Sequence, residues 1–253
     1  MSGEFDGRTI LVTGAAHGIG RAVVAGFTTR GATVHASDVV RDALEETGRQ
    51  TGCGTSIVDV GDTAAVNGWV AEALAAAGRI DALVHVAGGV RGQVHQPIDE
   101  VTDSQWNDIL QANLYGAFRC IRAVAPVMRR QQAGRIVLVS SGAGRSFSLT
   151  GIQAYTSAKA GEIGLTRQMA RELGNFGVTV NSVAPGFVRS NPSTEKQWAA
   201  MGEAGQRALL ESISLHRTGR AEEIAAAVLF FCSDAASYVS GQVLSVDGGR
   251  SMF

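Results

Sequence analysis

Tyr155 and Lys159 close the stretch SSGAGRSFSLTGIQAYTSAK, which spans residues 140–159. Four residues apart, they share one face of a helix near its N-terminus. A phenol ionises near pH ~10 on its own, too high for a general base at neutral pH, and an ammonium one turn away favours the phenolate. Such a pair can exchange a proton with an alcohol or a carbonyl oxygen. An isolated Y-x-x-x-K is more often a packed tyrosine beside a snorkelling lysine. Ser140 and Ser141 change that balance, because they end an apolar run at the edge of a sheet where a hydroxyl can hold the reacting oxygen against the phenol. Asn113 is a further polar residue in the apolar stripe of another helix. It can bond a backbone carbonyl or order a water near Lys159, or simply satisfy its own turn.

A second motif lies near the N-terminus. TGAAHGIG, residues 13–20, follows the first strand and opens a helix. Gly14, Gly18 and Gly20 let the backbone turn tightly and approach a ligand, while the helix N-terminus offers N–H groups and positive dipole to a pyrophosphate. The spacing is G-x-x-x-G-x-G, not the standard dinucleotide fingerprint. Asp38 ends the second strand, 18 residues after Gly20, where a carboxylate accepts both adenosine-ribose hydroxyls and repels a 2′-phosphate. With His17 rather than Arg or Lys in the turn, NAD is favoured over NADP. Arg41 is the nearby cation that could reverse that preference.

The elements that must position these groups are legible as apolar, β-branched runs. RTILVT (8–13), TVHASD (33–38), TSIVDV (55–60), RIDALVHVA (79–87), RIVLVSS (135–141), VTVNSVA (178–184) and QVLSVD (242–247) read as seven strands. Near-continuous apolar character predicts parallel strands covered on both faces, hence a doubly wound, Rossmann-type α/β sheet. A capping box of Thr102 and Gln105 opens a helix over DSQWNDILQANLYGAFRCIRAVAPVM. A second helix carries Tyr155, Ala158, Lys159, Ile163, Thr166, Met169, Ala170 and Leu173 on one face, with Gly174 or Gly177 ending it. No linker, repeat or low-complexity segment divides residues 1–253, which predicts one domain.

The 253 residues carry 22 basic and 23 acidic side chains, a net charge of -1 that argues against a nucleic-acid surface or an acidic membrane surface. The N-terminal segment lacks a basic region followed by a long apolar one, so no signal peptide is predicted. AEEIAAAVLFFCSD is too short and too acidic to span a bilayer. Cys53, Cys120 and Cys232 form no metal or disulfide pattern, which predicts free thiols in a reducing cytoplasm.

Taken in order, these motifs resemble the compact branch of the short-chain dehydrogenase/reductase family over essentially the whole chain. TGAAHGIG is similar to the family's T-G-x-x-x-G-x-G turn; Asn113, the strand-end serine, Tyr155 and Lys159 resemble its catalytic tetrad. Asp59-Val60 resembles the pair that closes over adenine, Pro185-Gly186-Phe187-Val188 the segment against the nicotinamide carboxamide, and GQVLSVDGG the final strand. The resemblance implies Tyr155 as general acid/base, Lys159 as the cation that activates it and holds the nicotinamide ribose, Ser141 as substrate positioner, and Asn113 as support for a proton-relay water. It implies cofactor contacts from Gly14, His17, Gly18, Ile19, Gly20, Asp38, Asp59, Val60, Ala87, Gly88, Tyr155, Lys159, Pro185, Gly186, Val188 and Ser190, no metal, and a homotetramer. Three departures stand out: Val86-Ala87-Gly88 replaces N-A-G, Ser190 replaces threonine, and Ser141 lies 14 residues before Tyr155, one more than usual. That extra residue is expected to bulge toward the substrate mouth.

The expected activity is NAD-dependent interconversion of a secondary alcohol and a ketone on a small molecule. Two rivals share the fold: an NAD-binding sensor or scaffold without turnover, and a lyase or dehalogenase without hydride transfer. Residues 187–219 read as a substrate lid, with Phe187, Trp198 and Met201 as candidate pocket walls. Arg91 and His95 in the loop 89–97 are cations that could meet a carboxylate, although solvent-facing loop charges are commoner.

Overall fold

Seven parallel strands form one sheet in the order β3-β2-β1-β4-β5-β6-β7, and the computed structural model describes residues 3–252. The strands are β1 (Thr9–Thr13), β2 (Thr33–Asp38), β3 (Gly54–Ile57), β4 (Ala82–His85), β5 (Gly134–Val139), β6 (Val178–Pro185) and β7 (Val243–Val246). All seven predicted strands are present, and the Rossmann-type arrangement stands. Strand order reverses between β1 and β4, and the crevice beyond their carboxyl ends is where doubly wound sheets bind ligands.

Helices cover both faces: α1 (Gly18–Thr28), α2 (Arg41–Thr51), α3 (Thr63–Ala77), α4 (Asp103–Leu110), α5 (Gly116–Gln131), α6 (Gln153–Leu173), α7 (Pro192–Ala200), α8 (Gly202–Glu211) and α9 (Ala221–Cys232). Alternate residues of one strand serve opposite layers. Ile10 and Val12 join the core beneath α1 and α9, whereas Leu11 joins that beneath α3 and α5. Val137 and Val139 of β5 likewise face away from Ile136 and Leu138. Burial on both faces is why these strands read as unbroken apolar runs.

Several expected boundaries move. β3 stops at Ile57, so Asp59 and Val60 lie in the turn beyond it, not in the strand. The fourth strand is Ala82–His85, shorter than 79–87, because His85 is the last residue in register with β1. The fifth ends at Val139, which leaves Ser140 and Ser141 on the turn after it. The helix expected over 103–128 is three pieces: α4, a five-residue π turn at Gln111–Tyr115, and α5. Its capping box is present, with Thr102 and Gln105 bonding each other's backbone N–H. Both candidate glycines take part in ending α6. Gly174 starts a 3₁₀ turn, and Gly177 leaves it at φ 69°.

Candidate active site

A cleft of about 670 Å³ opens over the carboxyl ends of the strands. One end of it begins with the glycine turn. Gly14 has φ 68°, and a Cβ there would stand 2.6 Å from the Ala87 backbone nitrogen, so the turn lies directly on the end of β4. α1 starts at Gly18 with no side-chain cap from His17, leaving its first amides open to an anion. Asp38 is half-buried in the cleft wall; its oxygens accept from Ala16 N at 2.9 Å and Val40 N at 3.0 Å. It therefore fixes the glycine turn as well as facing the cleft. Arg41 is paired with Glu45 at 3.7 Å and does not line the cleft. An acid at the strand end, an uncapped helix and a glycine cradle fit a dinucleotide.

Farther along, the cleft is lined by His17, Ile19, Gly20, Asp59, Val60, Ala87, Gly88, Pro185, Gly186, Val188 and Ser190 as well. Asp59 turns its carboxylate onto Gly61 N at 2.7 Å. Gly18 does not line the cleft; it lies beneath Ser190, whose hydroxyl would be 2.6 Å from a Cβ at that position.

At the floor, Tyr155 is half-buried, and the Lys159 ammonium is 6.0 Å from its ring centroid. Lys159 is only 3% exposed. Its Nζ donates to the Val139 carbonyl at 3.0 Å and to both carboxylate oxygens of Glu162, at 2.8 and 3.1 Å. The two serines divide their work. Ser140 is buried and donates to the Lys159 carbonyl at 2.8 Å, bolting the end of β5 to α6. Ser141 lines the cleft, and its oxygen accepts from Ala143 N at 3.1 Å, which leaves its O–H free to donate.

Asn113 is fully buried in the π turn and does not reach the cleft surface. Its amide oxygen accepts from Gly89 N at 2.9 Å, and its amide nitrogen donates to the carbonyls of Gly89 (2.9 Å) and Ile109 (2.7 Å). It thus clamps the Gly88–Gly89 segment that forms the cleft floor. The bond pattern is backbone bracing, one of the two roles its position allows.

The loop after Ser141 does reach the mouth, where Ser146, Phe147, Ser148, Leu149 and Thr150 line the cleft. Of the three expected lid walls only Phe187 does so. Trp198 and Met201 turn away and pack with Phe187, Leu209 and Ile213 in a small separate core. Arg91 lines the cleft and is exposed; His95 instead bonds the Gly151 carbonyl at 3.0 Å outside it.

Three neighbours of the site were not legible as such. Thr13 and His85 are opposite residues of β1 and β4, joined at 3.0 Å between Oγ1 and Nδ1. The same Thr13 oxygen accepts from Val86 N and Ala87 N, so it supports the segment where asparagine is missing. Their pairing needs the strand order, which no local motif supplies. Glu162 had a signal: it lies seven residues after Tyr155 and three after Lys159, on their helix face. Burial pushes its carboxyl above the ordinary range, and the Lys159 charge opposes that rise.

Fold and cleft together are those of a Rossmann-type oxidoreductase. A family model described as enoyl-(acyl carrier protein) reductase matches residues 14–251. The 3-oxoacyl-[acyl-carrier-protein] reductase FabG of Salmonella typhimurium is 35% identical over 251 residues, covering 98% of this chain and 99% of that one. The (2S)-[(R)-hydroxy(phenyl)methyl]succinyl-CoA dehydrogenase subunit BbsD of Thauera aromatica is 37% identical over 256 residues, covering 97% of each. Among solved structures, levodione reductase superposes with a TM-score of 0.91 at 31% identity, covering 97% of this chain and 98% of its own. The chain belongs to the short-chain dehydrogenase/reductase family, and is an oxidoreductase that uses a nicotinamide cofactor and acts on CH–OH or keto groups. Among the described residues no helix is long and apolar enough to cross a membrane, and no cluster of side chains has a metal-binding arrangement.

Proposed function

We propose that the enzyme interconverts a secondary alcohol and a ketone on a small molecule with NAD, using Tyr155 as general acid/base. The observation that carries this reading is the Lys159 ammonium, buried 6.0 Å from the Tyr155 ring at the floor of a cleft that begins with a glycine turn. A nicotinamide dinucleotide held by the turn, Asp38, Asp59-Val60 and the Pro185–Ser190 segment supplies or accepts the hydride. In oxidation, the Tyr155 phenolate takes the proton of the substrate hydroxyl; in reduction, its phenol returns one to the ketone oxygen. Lys159, fixed by Val139 and Glu162, provides the positive charge that favours the phenolate. Ser141 donates its free O–H to the same substrate oxygen and holds it against the phenol.

Asp38 supports NAD over NADP, since it lines the cleft and Arg41, three residues on, is engaged with Glu45. The family resemblance and the exposed aromatic side chains of Tyr115 and Phe118 support a homotetramer. A sensor predicts that the wild type binds NADH without turnover, and a lyase without hydride transfer predicts no quenching on NADH titration. Under the present reading Tyr155→Phe binds NADH, seen as fluorescence quenching, yet loses turnover.

A further inference from the structure

Glu162 is wholly buried, bears an ionisable carboxyl group, and has no part in the chemistry of the proposed reaction. Its carboxylate meets one cation, Lys159, from three residues earlier on α6. The amine is at the centre of the site: a Cβ on Gly88, in the cleft floor, would be 3.4 Å from Nζ.

The charged and polar groups around that amine come from every packed element. α6 gives Tyr155 and Glu162; β5 gives the Val139 carbonyl; the π turn gives the neutral amide of Asn113. β4 gives His85, buried and uncharged, since burial first and the Lys159 charge second lower its imidazole to about 3. Arg145, on the turn after β5, reaches the Val243 carbonyl and Ser245; Arg119, on α5, reaches Gln111. Glu162 is therefore the anion that matches the buried ammonium.

Burying an ammonium without a partner favours loss of its proton, because the low-dielectric interior penalises the charged form. A neutral amine at position 159 supplies no positive charge to a phenolate. We propose that Glu162 is a positioning residue for the reaction: a buried counter-ion that keeps Lys159 an ammonium, anchored between Glu162 and the Val139 carbonyl within reach of Tyr155. This rests on the proton-transfer reading above for its catalytic consequence, while the pairing itself is testable without turnover.

The sequence offers an unusually clean probe, because Lys159 and Lys196 are its two lysines. In protein labelled with ¹³Cε-lysine, the Lys196→Arg variant assigns the two resonances, and their shifts report each amine's charge against pH. The wild-type Lys159 titration curve is the reference for the variants. Glu162→Gln should lower its titration midpoint by at least about one pH unit, and Glu162→Asp should restore most of the loss. Should the amide variant fail to fold, Glu162→Leu removes the charge without adding a polar group and carries the same expectation.

Turnover gives the second reading. With the alcohol oxidised fastest in an NAD+ screen, the neutral variants should gain an alkaline falling limb in kcat/KM that the wild type and Glu162→Asp lack. A merely structural role would lower kcat/KM evenly across pH. An unmoved Lys159 titration in the neutral variants overturns the counter-ion role. A moved titration with an unchanged pH profile overturns its place in catalysis. Retained turnover in Tyr155→Phe would instead sink the proton-transfer reading and leave the pairing standing.

Discussion

At the scale of single residues, the polar groups beneath the cleft are held by named partners, and one of them sets a pH dependence for the fold. His85 is fully buried, and its Nδ1 meets Thr13 Oγ1 at 3.0 Å. Burial, then the charge of Lys159, lowers the folded imidazole to about 3, with the nearby Asn113 backbone opposing in part. The unfolded chain binds the same proton near pH ~6.5. The stabilising difference is thus fully present above that pH and is lost as pH falls toward 3. Between pH 7.5 and 5, one such group costs about 2 kcal/mol. Urea unfolding at these two pH values should show a loss smaller by roughly that amount in His85→Asn than in the wild type. Equal losses in the two proteins would mean that His85 is protonated in the fold.

The elements place the chemistry through close backbone contacts as much as through side chains. The turn after β5 lies against α6 so tightly that a Cβ on Gly144 would be 2.6 Å from the Lys159 carbonyl carbon. Ser140 bonds the carbonyl of that same residue, so strand end and helix meet at Lys159. Gly144→Ala must push the turn off the helix, at a cost of about 1–3 kcal/mol typical of overpacking. Its effect should fall on kcat more than on the KM for NAD+, because the displaced parts are Ser141 and Lys159. Unaltered melting and kcat would show that the contact yields freely. Much at this scale was legible: the glycine turn, the seven strands and the Tyr155–Lys159 face all follow from local periodicity. The break in the helix at Gln111–Tyr115 was not, because a π turn preserves the apolar stripe on either side of it. Which of Phe187, Trp198 and Met201 faces the cleft was not legible, because it depends on how α7 and α8 fold back, a tertiary matter.

For the molecule as a whole, strand order is the fact that the sequence withheld. Alternating strands and helices imply a parallel sheet, yet only the placement of β4 beside β1 brings Thr13 to His85 and Gly14 to Ala87. The same placement lets Thr13 support the segment in which Val86 stands for the family's asparagine. Assembly belongs to this scale as well. Tyr115 and Phe118 are 38% and 44% exposed near the start of α5, apolar area of the sort that subunit contacts cover. Sedimentation equilibrium should give about four times the 26.3 kDa of one chain. A mass of one chain at micromolar concentration would refute the tetramer and leave the site untouched.

The central claim is that Tyr155 moves the proton that accompanies hydride transfer. It is tested most directly by following NADH formation from NAD+ across cyclic, aromatic, polyol and hydroxy-acid alcohols, with wild type and Tyr155→Phe side by side. The account expects at least one secondary alcohol to be oxidised, faster with NAD+ than with NADP+. It expects Tyr155→Phe to lose about a hundredfold to ten-thousandfold in kcat while still quenching on NADH binding. A variant that keeps most of its turnover would contradict the account.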